Sequence, residues 1–442
     1  MAFRPDLTKM FHVKHFGKIG ARAKTLDFWS KMDDLRSFEE PSPAMSDTSL
    51  EAPAPRAPAK PFARAGVRRL ALADFRSYAS LDLAVNARLI VLTGDNGAGK
   101  TNLLEALSLL APGRGVRRAE LSDCARNGGC GGFAVSVELE TQKGGVQLGT
   151  GIEPQTDAPL LRKYRIDRAP ARSIRGFSDH VRVVWLTPAM DGLFMGPAGE
   201  RRRFLDRLVL AIDAGHGARA ASLERALRSR NRLLEEGPGA DRGWLDAIER
   251  EAAELAIAVA AARIETVSRL AALITETRNK TSPFPWADVA LEGEIERLVG
   301  TCPALEAEDI YRGILRRNRS RDAAAGRTLM GPQASDLCMR HGPKQVPAAQ
   351  ASTGEQKALL VGLVLAHARL VAAMSGLTPL VLLDEIAAHF DPVRRDALFE
   401  ALETLGGQIW LSGADRATFG TIEKHALMLK VTPGPVTSGI QG

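Results

Sequence analysis

Cysteine is scarce in this chain, and so are aromatic side chains: 4 Cys in 442 residues, and 5% Phe, Trp and Tyr together. Cys124, Cys130, Cys302 and Cys338 form no C-x-x-C pair, and no two histidines flank them at zinc spacing. The pattern argues against a disulfide framework and a structural zinc, and fits a reduced, cytoplasmic chain. Long apolar runs are missing too. The most apolar stretch, Ala358 to Met374, is broken by His367 and Arg369, so it reads as a buried helix and not as a membrane span. The first residues hold no long apolar segment and no signal peptide, and no internal repeat is visible.

What is present is an ordinary globular composition, 45% hydrophobic and 25% charged, with a net charge of +7. The length allows two or three domains, and the basic balance favours an anionic partner such as nucleic acid. Residues 1–64 stand apart. Their Pro/Ala-rich run from Glu51 to Pro61 buries too little surface to offset its ordering entropy, so the leader reads as disordered, with Met45 a candidate for the true start. Acids at Asp33, Asp34, Glu39 and Glu40 count against a transit peptide. From Val67 the pattern becomes structured. Strands are expected around Leu70–Leu72, Leu81–Val85 and Arg88–Thr93, then a helix with Leu103, Leu107 and Leu110 on one face. Mixed strands follow over 133–185 and helices over about 200–277; strands and helices return from about 327 to 430. The tail after Val431, rich in Gly, Pro, Ser and Thr, is expected to fray.

Three motifs carry chemistry. Gly94, Asp95, Asn96, Gly97, Ala98, Gly99, Lys100 and Thr101 fit G-x-x-x-x-G-K-[ST] between a buried strand and an amphipathic helix. Glycines admit the backbone angles that wrap N–H groups around phosphates, and the helix N-terminus adds its positive dipole end. Lys100 is expected to reach the β- and γ-phosphates of ATP, and Thr101 to ligate Mg²⁺. The apolar run Leu380 to Leu383 ends in Asp384 and Glu385, which presents carboxylates at the end of a buried strand. Asp384 suits Mg²⁺ held through a bridging water, and Glu385 suits polarisation of an attacking water. Ser352-Thr-Gly354-Glu355 reads as a capping box opening the apolar helix, and the same arrangement suits a γ-phosphate sensor.

In this order, the phosphate loop, a long insertion, S-x-G-E-Q, L-L-D-E and then Asp391 resemble ABC ATPase heads, and the match is closer to the RecF family, DNA gap-repair relatives of the SMC proteins. Phe75-Arg76-Ser-Tyr78, Asn102-Leu-Leu-Glu-Ala106, Leu186-Thr-Pro-Ala-Met-Asp-Gly192, Arg201-Arg-Arg-Phe-Leu-Asp206, Arg230-Asn-Arg-Leu-Leu234 and Gly331-Pro332 with Asp336-Leu337 also look like that family, over about residues 66–430. The resemblance implies an α/β fold: a P-loop ABC-type ATPase head, a mixed sheet flanked by helices, over 65–192 and 325–442, with a mainly helical arm inserted at 193–324. It implies an ATP-dependent clamp that dimerises on ATP and binds duplex or gapped DNA near single-strand/double-strand junctions. It implies a role in replication, repair and the SOS response, with RecO and RecR type mediators as partners, while Ala414 and the lack of a switch histidine point to weak hydrolysis. By the same resemblance Ser352 and Gly354 form the signature that faces a neighbour's nucleotide, Asp391 lies in the D-loop, Asn102 follows the phosphate loop, and Arg76 matches an arginine that approaches the nucleotide. The chain departs from the family at Gln333 and Ala334, where a His-Arg pair is usual, and at Ala414, where threonine is common; it shows no switch histidine.

Two basic clusters stand out: Arg162, Lys163, Arg165, Arg168, Arg172, Arg175 and Arg182 around Tyr164, and Arg312, Arg316, Arg317, Arg319 and Arg321. Either tracks phosphates or is simply a solvated face. Other P-loop classes fit less well. A helicase-like motor reads Asp384-Glu385 as a DExx box but leaves too short a stretch after it for a second motor domain. A transporter subunit is disfavoured by the long insertion, and a GTPase by the lack of N-K-x-D. If Met45 is the start, mass spectrometry of the native protein will find no peptide from residues 1–44; any such peptide sinks that expectation.

Overall fold

The computed structural model describes residues 63–154, 161–278, 282–387, 390–433 and 436–438. The leader up to residue 62, with Met45, lies outside them. Six strands form the central sheet, in the order Val436–Ser438, Leu427–Val431, Leu89–Thr93, Ile409–Gly413, Leu380–Leu383, Val183–Leu186. All pairings are parallel except that of the edge strand Val436–Ser438. Within the tail expected to fray, residues 436–438 instead form that edge strand, with Lys430 and Val431 paired to Thr437 and Val436; residues 434–435 and 439–442 lie outside the described residues. Three inner strands, Leu89–Thr93, Ile409–Gly413 and Leu380–Leu383, and the edge strand Val183–Leu186 are buried throughout, which is why their sequences are mostly apolar.

Side-chain alternation splits each inner strand between two cores. Ile90, Leu92, Leu380, Leu382 and Trp410 point to one side. There the helix Lys100–Ser108 lies under a second, antiparallel sheet whose order is Tyr78–Ala84, Gly66–Phe75, Phe133–Thr141, Gly144–Ile152, Arg162–Ile166, Ala169–Pro170. This helix is buried from both sides and ends before Leu110, so its apolar residues do not form the single stripe expected of them. Gln408 fastens the layers: it accepts from Val67 N at 2.9 Å and donates to the carbonyls of Val67 and Ala87 at 3.0 Å.

Leu89, Val91, Val381, Leu383, Ile409 and Leu411 point the other way, onto the helices Thr353–Ser375, Ala198–Ile212 and Pro392–Thr404. Thr353–Ser375 is long and apolar enough to cross a membrane by composition alone, but its most apolar window is 72% buried within the fold. It starts at a complete capping box and ends at Gly376 in the left-handed region, φ 72°.

The segment 193–324 divides between cores. Phe204, Leu205, Leu208 and Val209, with Val267, Leu270 and Ile274 from the far half of the helix Arg242–Thr277, belong to the head. The near half of that helix packs with His216–Glu235, Glu294–Thr301 and Ala304–Arg317 in a core of its own. Arg230 sits at the centre of that lobe, fully buried, and donates to Glu249 at 3.0 Å, Asp322 and Thr328 at 2.8 and 2.7 Å, and Leu315 O at 2.7 Å. Asp206 joins lobe to head by accepting from Arg263 at 2.8 and 2.9 Å and contacting His216 at 2.8 Å. Burial alone would raise the Asp206 carboxyl; the hydrogen bonds from His216 and Arg263 override it and hold it down at about 2.

His367, in the middle of Thr353–Ser375, has its Nε2 against Leu208 O at 3.0 Å, and burial pushes it down to about 4. The unfolded chain therefore takes up that proton first. The stability this site contributes is complete above pH ~6.5 and is lost as pH falls toward 4, by on the order of 3 kcal/mol. Urea midpoints of wild type and His367→Leu across that window will diverge, with the wild type showing the steeper decline.

Candidate nucleotide site

The carboxyl ends of Leu89–Thr93, Leu380–Leu383 and Val183–Leu186 lie side by side, since Gly413 pairs with Thr93 and Leu383 with both Leu411 and Leu186. Parallel sheets place ligands at this edge. The phosphate loop leaves the first strand with Gly94, Gly97 and Gly99 at φ 138°, 84° and 112°. Two of these glycines are also held by contact. A Cβ on Gly94 would lie 2.2 Å from Val431 O, and one on Gly99 2.7 Å from Tyr78 Oη. Around Gly97 the space is open, which leaves the loop's inner face to a ligand. Gly99 N-caps the helix with no side chain on the first-turn N–H groups, so they remain available to phosphate oxygens. Lys100 is buried and curls back, its Nζ donating to the carbonyls of Gly94 at 2.7 Å and Asp95 at 2.9 Å. Ala98 N closes the loop onto Asp95 O, and Asn102 Nδ2 donates to Ser77 Oγ at 2.8 Å. Asn96 is exposed on the same loop.

Thr101 Oγ1 donates to the two carboxylate oxygens of Asp384 at 3.1 and 3.0 Å. Oxygens on adjacent corners of an octahedron with ~2.1 Å metal–oxygen bonds stand about 3 Å apart, so this hard-oxygen pair fits Mg²⁺. Ser412 Oγ donates to Asp384 Oδ1 at 2.6 Å and accepts from Glu385 N at 2.9 Å. That contact holds Glu385 with φ at 53°, a region unfavourable to a non-glycine residue, and the strain is maintained by the neighbouring strand.

Arg76 lies beside this loop with its guanidinium turned onto Glu105, donating at 2.8 and 2.6 Å, and with Nη1 on Asp123 O at 2.6 Å. Arg117 donates to the same carboxylate at 2.5 Å and to Asn102 Oδ1 at 2.7 Å. Glu105, with no exposure, thus anchors two arginines beneath the phosphate-loop helix. Sequence reasoning missed Glu105, Arg117 and Ser412. Only Glu105 left a trace, as the acid inside the Asn102–Ala106 run, and its partners come from separate loops.

Ser352 and Gly354 are not part of this cluster. Ser352 is exposed at the N-cap of Thr353–Ser375, its Oγ and N–H tied to Glu355 in the capping box at 3.0–3.4 Å. Lys344 and the Ser352 N–H hold the Glu355 carboxyl down at about 2, so the box stays charged at neutral pH. Asp391 N-caps Pro392–Thr404 by accepting from Arg394 N at 3.0 Å, and Arg394 Nη1 passes 3.6 Å from where a Gly354 Cβ would be. Gln333 turns inward, donating to the carbonyls of Thr328 and Met330 at 3.2 and 2.8 Å.

The basic clusters are not uniform. Arg162 packs over Tyr164 and binds Thr150 Oγ1 and Gly113 O, and Arg182 binds the carbonyls that end Ala198–Ile212. Arg316 and Arg319 pair with Asp246, and Arg319 also with Glu249. Arg172, Arg175, Arg317 and Arg321 are exposed.

Comparison with known proteins agrees with this architecture. The family model described as the RecF/RecN/SMC N terminal domain matches residues 66–433. The chain is 54% identical over 374 residues to the DNA replication and repair protein RecF of Mesorhizobium japonicum, covering 85% of this chain and 98% of that one. It is 51% identical over 375 residues to the RecF of Brucella abortus, covering 85% and 96%. Among solved structures, the recombination mediator protein RecF with ATPrS superposes with a TM-score of 0.74 at 18% identity, over 85% of this chain and 99% of that chain, a likeness of fold.

Removing the Glu105 carboxylate leaves two arginines without their buried partner. Glu105→Ala will lower the unfolding free energy by about 3 kcal/mol in urea titrations; a loss below about 1 kcal/mol would show that the arginines find other partners.

Proposed function

We propose that this chain, which belongs to the RecF family of DNA replication and repair proteins, is an ATP-dependent clamp that closes as a homodimer and binds DNA at gaps and single-strand/double-strand junctions. One observation supports the reading: the glycine loop meets Asp384 and Glu385 at one sheet edge, while the helix N-terminus at Ser352 is exposed away from them and, among the described residues, is bonded within its own capping box. A two-fold related copy supplies the missing half to each site.

In that closed pair the N–H groups of Gly97, Gly99 and Lys100 bind the phosphates, and Lys100 exchanges its two carbonyl partners for phosphate oxygens. Thr101 and Asp384 would hold Mg²⁺, which supplies charge neutralisation across the β- and γ-phosphates. Ser352 and the N–H groups behind Gly354 take the γ-phosphate from the opposite side. Glu385 accepts a hydrogen bond from the attacking water, whose oxygen bonds to Pγ as the bridging oxygen leaves with ADP. Since the γ-phosphate is held fully only when two copies meet, ATP favours closure by the difference between its affinities for the closed pair and for the open monomer, counted once for each of the two sites.

Hydrolysis is slow in this reading. After the strand Ile409–Gly413 come Ala414 and Asp415, and neither is a neutral donor to a γ-phosphate. The arm lobe built on Arg230 closes over DNA, and the exposed arginines supply salt-sensitive contacts. Partners of the RecO and RecR type, and a cytoplasmic setting, follow from family membership; a solved relative is described as a recombination mediator in the RecFOR pathway.

Light scattering tests the reading. ATP will convert wild type from monomer to dimer, Glu385→Gln will stay dimeric after ATP is diluted away, and Lys100→Ala will remain monomeric. An ATP-saturated wild type that stays monomeric would falsify the clamp. Binding to gapped DNA is expected to need ATP and to fall steeply with salt.

A further inference from the structure

Beside the metal face of the site, a cleft of about 740 Å³ opens from Thr101 and Asp384 between the loop at Gly115–Arg118, the end of Val183–Leu186 and the helix Ala198–Ile212. Three features of its wall have no role in the mechanism above. Thr187 is only 6% exposed, yet its Oγ1 has no hydrogen-bond partner among the described residues. It directly follows Leu186, whose carbonyl accepts from Asp384 N at 2.9 Å, so the unused hydroxyl and the metal carboxylate leave neighbouring strands together. Arg207 faces the same cleft, its guanidinium between the rings of Trp185 and Phe204, 5.1 and 4.9 Å from their centroids, and its Nη1 3.1 Å from Met190 Sδ. These are soft, weakly compensating contacts for a cation. Burial, reinforced by the charge of Arg118, pushes Arg207 down to about 9, so an anion placed beside it gains interaction energy. At the rim, Arg118 and Arg203 share the single carboxylate of Glu200.

We propose that this cleft is a site for inorganic phosphate, held by Thr187 and Arg207 with Arg118 and Arg203 at its mouth, which receives the γ-phosphate after cleavage. The chemistry is that of a compact multivalent oxyanion: a buried hydroxyl donor, a planar guanidinium able to make paired N–H bonds, and two further cations against one carboxylate. Position makes it a product site. With ADP on the phosphate loop, the cleft is the arginine-lined way out from Thr101 and Asp384. Phosphate retained there keeps the metal face occupied after the bond has broken, and its departure is the step that frees the two copies to part.

The inference rests on the reading of the site as one that hydrolyses ATP, and the test separates the two. Equilibrium dialysis with radiolabelled orthophosphate is run on full-length protein saturated with Mg-ADP, alongside ATP-dependent light scattering of the wild type. Phosphate is expected to bind the wild type. Thr187→Val, which keeps the shape and removes the hydroxyl, is expected to weaken it by about three- to tenfold, and Arg207→Gln by about ten- to a hundredfold. Should Arg207→Gln fail to fold, Arg203→Gln at the exposed rim takes its place, with a loss of a few-fold. Equal phosphate affinity in wild type and variants overturns the proposal. So do variants that lose DNA binding while keeping phosphate, which would make the cleft part of a strand path. A wild type that dimerises on ATP but binds no phosphate overturns this inference alone; one that does neither overturns both.

Discussion

The contact between Thr101 and Asp384 is the constraint on which the rest of this structure depends. The two residues are 283 positions apart and meet within 3.1 Å because two parallel strands end at the same sheet edge. Everything between them in the chain, the antiparallel sheet, the arm and the signature helix, has to leave and re-enter that sheet without disturbing its register. A shift of one residue in Leu380–Leu383 would turn Asp384 away from the threonine and reverse the two cores that the alternating side chains feed.

That constraint explains how polar groups are distributed in the head. Ser412 holds both Asp384 and the backbone of Glu385, so a third strand fixes the position of the acids. Glu105 fixes the helix behind the phosphate loop by binding Arg76 and Arg117, and Tyr78 Oη donates to Gly99 O at 3.2 Å from the sheet above. The loop is therefore supported from the central sheet, from the antiparallel sheet and through its own helix, while its inner face around Gly97 stays open. The donors that would meet phosphate are in place before any ligand arrives, and this lowers the reorganisation needed at the moment of reaction.

The signature and the arm are organised differently. Ser352 belongs to an exposed helix end anchored by Lys344–Glu355 and by Lys357–Asp191. The second of these pairs links the signature helix to the segment that follows Thr187. In the proposed dimer, closure on a nucleotide would thus act on the same short stretch that walls the arginine cleft. Asp206, held at about 2 and bound by Arg263 and His216, couples the head to the arm lobe by a charged joint where the two cores meet along one long helix.

The sequence by itself determined the parts that are local. The glycine loop between strand and helix is legible because its glycines, lysine and threonine fall within eight consecutive residues. The inner strands are legible because burial on both faces makes them mostly apolar, with polar residues such as Thr93 and Ser412 only near their carboxyl ends, and the capping box because its partners are three residues apart. Tertiary structure alone decided the rest. The central sheet and the second sheet bury the phosphate-loop helix from both sides, which erases the single apolar stripe its sequence suggests. Arg162 reads as a basic surface residue and is turned inward, since its carbonyl partners lie some fifty positions away. Glu105, Ser412, Thr187 and Arg207 are ordinary residues in the sequence. They acquire meaning because distant segments bring cations, a carboxylate or an unused hydroxyl to one place. Hydrogen bonds and charges act over a few ångströms of space, whatever the separation along the chain, and only the folded sheet sets those distances.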